Sequence, residues 1–258
     1  MDAFRARSGG ADLAVARFGQ GPPLLWAHPI VFSKAYVPDV LGERFDVAAL
    51  DQRGHGESEG GGIELPAMAE DLGAVLDALG RPRSLLGGTS LGAATALAFA
   101  LRHPERVERL VLDLPGFGPG SFRNPAKTEA MAAAFERADF DAAARVIVEG
   151  LSGPRAEAWL AALRADWGHY DPARLGPKLA RALRGTAGWR VVERWPDDLA
   201  ALRVPTTILA VKGDPTHPWE VAETMARAIP GARLLPRVPS LDPRRIAAQW
   251  AEAIMGPG

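Results

Sequence analysis

The stretch Ser84–Ala98 reads SLLGGTSLGAATALA and decides the fold. Its opening residues form a short apolar run that predicts a buried strand, and Leu91–His103 is an Ala- and Leu-rich run that predicts a buried helix. Between them, Gly88–Gly92 (GTSLG) fits the pattern G-x-S-x-G, in which a strand turns sharply into a helix and presents a serine. Glycines on either side remove Cβ atoms that would collide in such a turn. Ser90 is therefore the candidate nucleophile.

The same turn predicts a hydrogen-bond donor for the chemistry. The backbone N–H of Leu91 lies at the start of the predicted helix, where no intrahelical acceptor is available, and it can stabilise an oxyanion. A Gly/Ser turn without chemistry also satisfies G-x-S-x-G. The strand before the motif and the apolar helix after it favour the catalytic interpretation.

Strand and helix patterns alternate on both sides of this motif. Apolar strand-like runs occur at Leu24–Ala27, Phe45–Leu50, Arg109–Leu112 and Thr206–Val211. Apolar residues recur every three or four positions over Glu64–Leu79, which predicts a helix. This alternation predicts an α/β fold with a mostly parallel sheet covered by helices on both faces. Residues 120–195 lose the strand signal and read as several short helices. The domain prediction is a core of 1–119 and 196–258 with a helical insertion of 120–195.

Composition excludes several classes of function. The chain has 258 residues, a formal net charge of −1 and no cysteine. It therefore has no basic nucleic-acid footprint, no disulfide framework, no zinc–thiolate site and no cysteine nucleophile. No histidine–carboxylate cluster has metal-ligand spacing and no phosphate-binding glycine loop is present, so we predict no metal and no cofactor. The absence of a long apolar run and of a signal-peptide pattern predicts a cytoplasmic protein without membrane contact.

Five motifs together resemble one family. They are LLWAH at Leu24–His28, DQRGHGES at Asp51–Ser58, the serine turn, RHPERV at Arg102–Val107 and GDPTHP at Gly213–Pro218. This set resembles the α/β-hydrolase superfamily over essentially the whole chain, in particular its esterase- and lactonase-like branch. The resemblance implies the α/β-hydrolase fold, with the insertion acting as a helical lid over a small-molecule site. The oligomeric state stays open.

The resemblance implies a triad in the order serine, acid, histidine. Ser90 matches the nucleophile, and Asp214, after the strand-like run Thr206–Val211, matches the acid. The alternative for Asp214 is a turn or helix-capping role. The family places its histidine in the loop after the last strand, where this chain reads LLPRVPSLDP at 234–243 and has no histidine. We therefore expect that no side chain fills the usual place of the base.

Another histidine could be recruited as the base. His217 follows Asp214 by three residues in a turn before a helix, and His28 ends a strand beside the oxyanion loop. Both are candidates, although the usual role at the His28 position is structural. His55 and His103 are interpreted as structural, and His169 lies in the lid.

The resemblance also predicts the remaining site residues. Proline replaces the glycine of the family's His-Gly pair, so the second oxyanion donor is expected from the N–H of Ile30, beside that of Leu91. An apolar or aromatic substrate pocket under the lid is predicted from a set of aromatic and histidine side chains: Phe32, Trp167, His169 and Tyr170. Ordinary packing of short helices is the alternative for each of them.

Three functions remain open from the sequence. The first is hydrolysis of an ester, lactone or thioester of a small apolar substrate, with Ser90 attacking. The second is a non-hydrolytic lyase, cyclase or isomerase that uses the same pocket with Asp214 as a base. The third is a catalytically inactive small-molecule binding protein. The missing histidine motivates the second and third, because a serine hydroxyl without an adjacent base is a poor nucleophile.

Overall fold

A computed structural model describes residues 1–60, 62–116, 118, 124–186 and 189–256. Its strands are β1 (Asp2–Ser8), β2 (Ala11–Phe18), β3 (Pro23–Ala27), β4 (Asp46–Leu50), β5 (Ser84–Thr89), β6 (Val107–Asp113), β7 (Thr206–Ala210) and β8 (Arg233–Pro236). Its helices are α1 (Leu65–Ala78), α2 (Leu91–Arg102), α3 (Pro125–Glu136), α4 (Phe140–Ile147), α5 (Gly153–Trp167), α6 (Pro172–Gly185), α7 (Trp219–Ala228) and α8 (Pro243–Met255). Among the described residues, no helix is both long and apolar enough to cross a membrane.

The eight strands form one sheet in the order β1-β2-β4-β3-β5-β6-β7-β8. The strands from β3 onward pair in parallel, and β1 and β2 pair antiparallel at one end. The predicted α/β fold with a mostly parallel sheet is confirmed. Strand β1 was not predicted, because this edge strand buries only Ala6 and carries arginines at positions 5 and 7.

Side chains alternate along the central strands and build a core on each face of the sheet. From β3, Leu25 and Ala27 pack toward α1 and α2, whereas Leu24 and Trp26 pack toward α8. The indole of Trp26 stacks on that of Trp250 with ring centroids 3.8 Å apart. This period of two is the geometry of a strand buried on both faces, and it explains the continuous apolar runs in the sequence.

Four helices, α3 to α6, lie between β6 and β7, and we call them the helical insertion. They share their own apolar cluster, to which the core contributes Val31 and Phe32 from the loop after β3. The predicted start of the insertion, at residue 120, lies outside the described residues. The insertion therefore packs directly on the loop that follows β3, which the resemblance assigns to the oxyanion hole.

Candidate active site

Ser90 lies at the turn between β5 and α2 with φ 53° and ψ −109°. A non-glycine residue at positive φ is strained by about 1–3 kcal/mol and persists only where its surroundings enforce it. Here the Ser90 N–H donates to the carbonyl oxygen of Asp113 at 2.9 Å, which ties the turn to the end of β6. The strained backbone presents the hydroxyl at the carboxyl edge of the sheet.

Two glycines permit this turn by leaving space for the backbone. A Cβ on Gly88 would lie 2.2 Å from the carbonyl oxygen of Gly92, and a Cβ on Gly92 would lie 2.1 Å from that of Ala27. Both distances are far inside van der Waals contact with backbone atoms. The spacing of G-x-S-x-G thus follows from the close packing of β3, β5 and α2 around Ser90.

Asp214 and His217 lie in one turn between β7 and α7. One carboxylate oxygen of Asp214 accepts from the N–H groups of Thr216 at 2.8 Å and His217 at 3.1 Å, and so closes the turn. The other oxygen accepts from Nδ1 of the His217 ring at 3.2 Å. The turn role and the acid role that the sequence left as alternatives are therefore both available to the same carboxylate.

The far side of the His217 ring faces the nucleophile. Its Nε2 lies 2.9 Å from Ser90 Oγ, so it can accept the hydroxyl proton while Nδ1–H points to Asp214. Burial by itself would raise the pKa of the Asp214 carboxyl. The hydrogen bond and charge of His217, with two backbone N–H groups, outweigh burial and hold that pKa below its ordinary value. An ionised Asp214 can thus orient the imidazole.

Of the two histidines proposed as a recruited base, His217 is the one whose ring lies against Ser90. The loop after β8 does lack a histidine, but His217 reaches Ser90 from the turn after β7. Pro218 follows His217. Because a proline disfavours the helical conformation of the residue before it, the backbone of His217 has fewer conformations in which to direct its ring. The acid and the histidine then come from one short segment, instead of two separate loops.

Gly116, in the loop after β6, covers the His217 ring. A Cβ at this position would lie 2.8 Å from His217 Cδ2 and 3.4 Å from the Thr216 carbonyl oxygen. The close approach of this backbone leaves the imidazole little freedom to rotate away from Ser90.

We expect Gly116→Ala to lower kcat by up to about 100-fold, the cost of misplacing a catalytic group by about 1 Å. The measurement is steady-state kinetics on an activated ester, with thermal unfolding as a check on the fold. Gly73→Ala is the matched control, because its Cβ would lie 3.2 Å from the ring of Phe99, away from Ser90. Equal kcat for Gly116→Ala and the wild type would show that Gly116 does not restrain His217.

The two backbone N–H groups predicted to donate to an oxyanion, those of Leu91 and Ile30, have no acceptor among the described residues. Leu91 is the first residue of α2, and the first described intrahelical bond runs from Ala94 N–H to the Ser90 carbonyl. Ile30 follows Pro29 in the loop after β3, and its side chain packs in one apolar cluster with that of Leu91. Within the described part of the chain, neither N–H has a hydrogen-bond partner.

His28 is placed differently from its prediction as a candidate base. It is fully buried, its Nδ1 bonds the Pro29 carbonyl oxygen at 2.8 Å, and its Nε2 accepts from the Gln52 N–H at 3.0 Å. Burial, followed by the charge of His55, lowers the pKa of the His28 ring well below its ordinary value. Both nitrogens are occupied and the ring stays neutral, so His28 is a structural residue and the base candidate is corrected.

The four side chains predicted to line an aromatic pocket, Phe32, Trp167, His169 and Tyr170, do not come together around Ser90. Trp167 is buried in the insertion, with its ring edge-on to Phe135 and Phe140, and Phe32 packs against Tyr36 and Trp159.

His169 and Tyr170 line a surface cleft of about 340 Å³ together with charged side chains that include Arg5 and Glu57. The Tyr170 hydroxyl donates to Asp51 at 3.3 Å. Ser90 does not line this cleft, so we do not assign Phe32, Trp167, His169 or Tyr170 to the substrate pocket. Their positions follow from helix packing, which the sequence had left as the alternative.

A different apolar cluster includes Ile30 and Leu91. Ile30 and Leu91 pack with a set of side chains from the core and the insertion: Ile63, Met68, Ala182 and Trp189. No sequence pattern predicted this cluster. Trp189 could have been identified only as an aromatic in the insertion, because Ile30, Ile63, Met68 and Leu91 are all about 100 or more residues away along the chain.

A buried ion pair occupies the start of the loop after β8. Arg237 Nε donates to Asp113 Oδ1 at 2.7 Å, and Asp113 Oδ2 accepts from the Thr89 hydroxyl at 3.0 Å. Thr89 directly precedes Ser90, so this pair stabilises the serine turn through the hydrogen bond from Thr89 to Asp113. The sequence showed that the loop lacks a histidine but gave no sign of this pairing.

Comparisons with known proteins place the chain in one fold family. A family model described as alpha/beta hydrolase fold matches residues 26–240. A 2-(acetamidomethylene)succinate hydrolase from Mesorhizobium japonicum is 34% identical over 112 residues, which span 42% of this chain and 40% of that relative. The AB hydrolase superfamily protein YisY from Bacillus subtilis is 27% identical over 244 residues, which span 87% of this chain and 86% of that protein.

Solved structures are similar over the full length. A thermophilic esterase from Thermogutta terrifontis superposes with a TM-score of 0.78 at 25% identity and covers 98% of this chain and 97% of its own. The similarity therefore includes the sheet and the helical insertion together.

Proposed function

The chain belongs to the α/β-hydrolase fold family, and we propose that it is a serine hydrolase whose triad is Ser90, His217 and Asp214. The chain is a hydrolase by its family and its relatives. The observation that carries the finer proposal is the 2.9 Å contact between His217 Nε2 and Ser90 Oγ, with Asp214 on the other ring nitrogen. This contact supplies the base that the loop after β8 lacks.

In the first half of the reaction, His217 Nε2 takes the proton of the Ser90 hydroxyl as Oγ bonds to the acyl carbon. The carbonyl π electrons move to its oxygen, and the N–H groups of Ile30 and Leu91 stabilise that oxyanion. The tetrahedral intermediate collapses, the bond to the leaving group breaks, and His217 returns its proton to the leaving alkoxide or thiolate. Ser90 then carries the acyl group.

In the second half, His217 Nε2 takes a proton from water as the water oxygen bonds to the acyl carbon. The second tetrahedral intermediate collapses with cleavage of the bond to Ser90 Oγ, which regains its proton from His217. The products are the free acid and an unmodified enzyme. Asp214 stays ionised throughout, since its pKa lies below the ordinary range, and it stabilises the imidazolium that forms in each half.

We propose a small apolar ester, lactone or thioester as the substrate. Support comes from the apolar cluster that adjoins both oxyanion donors, with Ile63, Ala182 and Trp189 as members. An apolar acyl group placed against these side chains loses contact with water as its carbonyl oxygen meets the two N–H groups. Ala182 belongs to α6 of the helical insertion and Trp189 follows that helix, so this part of the chain covers the apolar cluster as a lid would.

A non-hydrolytic reaction and a purely binding role were motivated by the absence of a base beside the serine. The contact between His217 and Ser90 removes that motive, because a serine with an adjacent imidazole is an activated nucleophile. Neither alternative is favoured by a specific contact among the described residues.

The test is the intact mass of the protein after incubation with a fluorophosphonate probe. We expect the wild type to gain the mass of one phosphonyl group, because the probe reacts with a serine activated by a base. The Ser90→Ala variant is expected to gain none. An unlabelled wild type that is folded by circular dichroism would argue against the acyl-enzyme route, and labelling retained in Ser90→Ala would place the nucleophile elsewhere.

A further inference from the structure

The loop of residues 29–33, which follows β3, has no regular structure, so specific hydrogen bonds set its shape. The Pro29 carbonyl oxygen accepts from His28 Nδ1 at 2.8 Å and from the Phe32 N–H at 3.1 Å. A trans peptide is planar, so its N–H points opposite to its C=O. The Ile30 N–H shares its peptide with the Pro29 carbonyl. Whatever holds that carbonyl therefore sets the direction of the proposed oxyanion donor.

The Phe32 N–H is fixed in turn from the helical insertion. It shares a peptide with the Val31 carbonyl, and that oxygen accepts from the indole Nε1 of Trp167 at 2.7 Å. Trp167 is the last residue of α5 and is buried. Its indole N–H orients the peptide of Val31 and Phe32, and the Phe32 N–H orients the peptide of Pro29 and Ile30. Two consecutive planar links thus connect Trp167 to the Ile30 N–H.

Asp166, one residue earlier in α5, holds the next peptide of the loop. Its Oδ2 accepts from both the N–H and the hydroxyl of Ser33, each at 3.1 Å. Burial raises the pKa of this carboxyl to about 7, against the opposing effect of the two Ser33 donors. The helix therefore bonds to the peptides on both sides of Phe32, at the expense of burying a carboxyl group.

We propose that Trp167 is a positioning residue of the oxyanion hole, supported by Asp166, so that the helical insertion fixes the Ile30 donor through the loop after β3. The inference rests on the proposed function, since it assigns a task to an oxyanion hole. It differs from a pocket role for Trp167. A pocket residue changes substrate affinity and size preference, whereas a positioning residue changes the stabilisation of the tetrahedral state.

The test is Trp167→Phe, which keeps an aromatic ring against Phe135 and Phe140 and removes the indole N–H. We expect kcat to fall about tenfold with KM within about twofold, a fraction of the 10²–10³-fold cost of losing an oxyanion donor outright. An alkylboronic acid, which forms a tetrahedral adduct on Ser90 Oγ, is expected to lose affinity by the same factor as kcat/KM.

Two controls separate positioning from a general loss of packing. Trp159→Phe changes an indole in the same helix that contacts the Phe32 ring, and we expect it to leave kcat and boronate affinity unchanged. Asp166→Asn keeps an oxygen for the Ser33 donors, and Asp166→Ala does not. We expect Asp166→Asn to restore most of the kcat lost in Asp166→Ala, with thermal unfolding measured for each variant.

The outcomes distinguish this inference from the proposed function. If the wild type is labelled by the fluorophosphonate and Trp167→Phe keeps wild-type kcat and boronate affinity, the positioning role is wrong and the triad stands. If Trp167→Phe changes KM and substrate size preference alone, Trp167 is a pocket residue and the positioning role is again wrong. If the wild type is not labelled, the proposed function fails and the oxyanion role fails with it.

Discussion

Replacing His217 by glutamine is expected to abolish nearly all turnover, with a fall in kcat of the order of 10⁶-fold, the scale on which a triad loses its nucleophile or base. Glutamine approximates the length of histidine but cannot take a proton from Ser90 Oγ at neutral pH. The measurement is the hydrolysis of an activated ester by wild type and variant, with the fluorophosphonate labelling rate as a second readout. Asp214→Asn is expected to lose about 10⁴-fold through misorientation of the imidazole.

His169→Gln is the matched control, because His169 is exposed in the insertion and lines a cleft away from Ser90. We expect its kinetics to equal those of the wild type. A His217→Gln variant that keeps its kcat while Ser90→Ala loses it would mean that another group deprotonates the serine. If His217→Gln and Ser90→Ala both keep wild-type turnover while Asp214→Asn does not, the reaction is the non-hydrolytic type that uses Asp214 as the base.

Replacing Arg237 by methionine is expected to destabilise the protein by about 3–5 kcal/mol, the cost of leaving one partner of a buried ion pair uncompensated. The Asp113 side chain is 0% exposed and that of Arg237 is 6% exposed. Methionine matches the length of the arginine stem but leaves the Asp113 carboxylate without its cation. The measurement is urea-induced unfolding of the wild type and the variant at pH 7.

Two further variants test the cause of that loss. In Arg237→Met with Asp113→Asn, the buried charge is gone and an oxygen remains for the Thr89 hydroxyl, so we expect recovery of much of the lost stability. Arg164→Met breaks the pair with Asp141, whose side chains are 64% and 67% exposed, and we expect a change of about 0–1 kcal/mol. Equal losses for Arg237→Met and Arg164→Met would show that burial of the pair contributes nothing.

The loop after β8 carries this ion pair and has no histidine. Arg237 occupies the first position of that loop and points under the serine turn, toward Asp113 and Thr89. The backbone N–H of Arg237 donates to the Ala210 carbonyl at 2.7 Å, which fixes the loop to the end of β7. Arg237 therefore supports the turn that carries Ser90. A catalytic base assigned to this loop by analogy with the family would be misplaced.

The strands and helices could be predicted wherever local pattern and burial agree. The continuous apolar runs of β3 and β4 and the Ala-rich α2 are buried on all sides, so their composition reports their structure. The edge strand β1 was not predicted, since a strand with one exposed face and several arginines carries little apolar signal. Trp167 was assigned to a pocket because sequence shows that an aromatic lies in a helix but not which group its N–H meets.

The sequence by itself determined the fold family and the serine turn, because the apolar runs and the G-x-S-x-G spacing are visible within a few residues, although Gly92 also leaves room for the distant carbonyl of Ala27. It also determined that the loop after β8 holds no histidine. Only the tertiary structure decided that His217 faces Ser90, since the two are separated by 127 residues and their approach depends on how β5, β7 and the intervening loops pack. The same holds for Arg237 and Trp167. Local backbone geometry is encoded locally, whereas the partner of a side chain is chosen by the packing of distant elements.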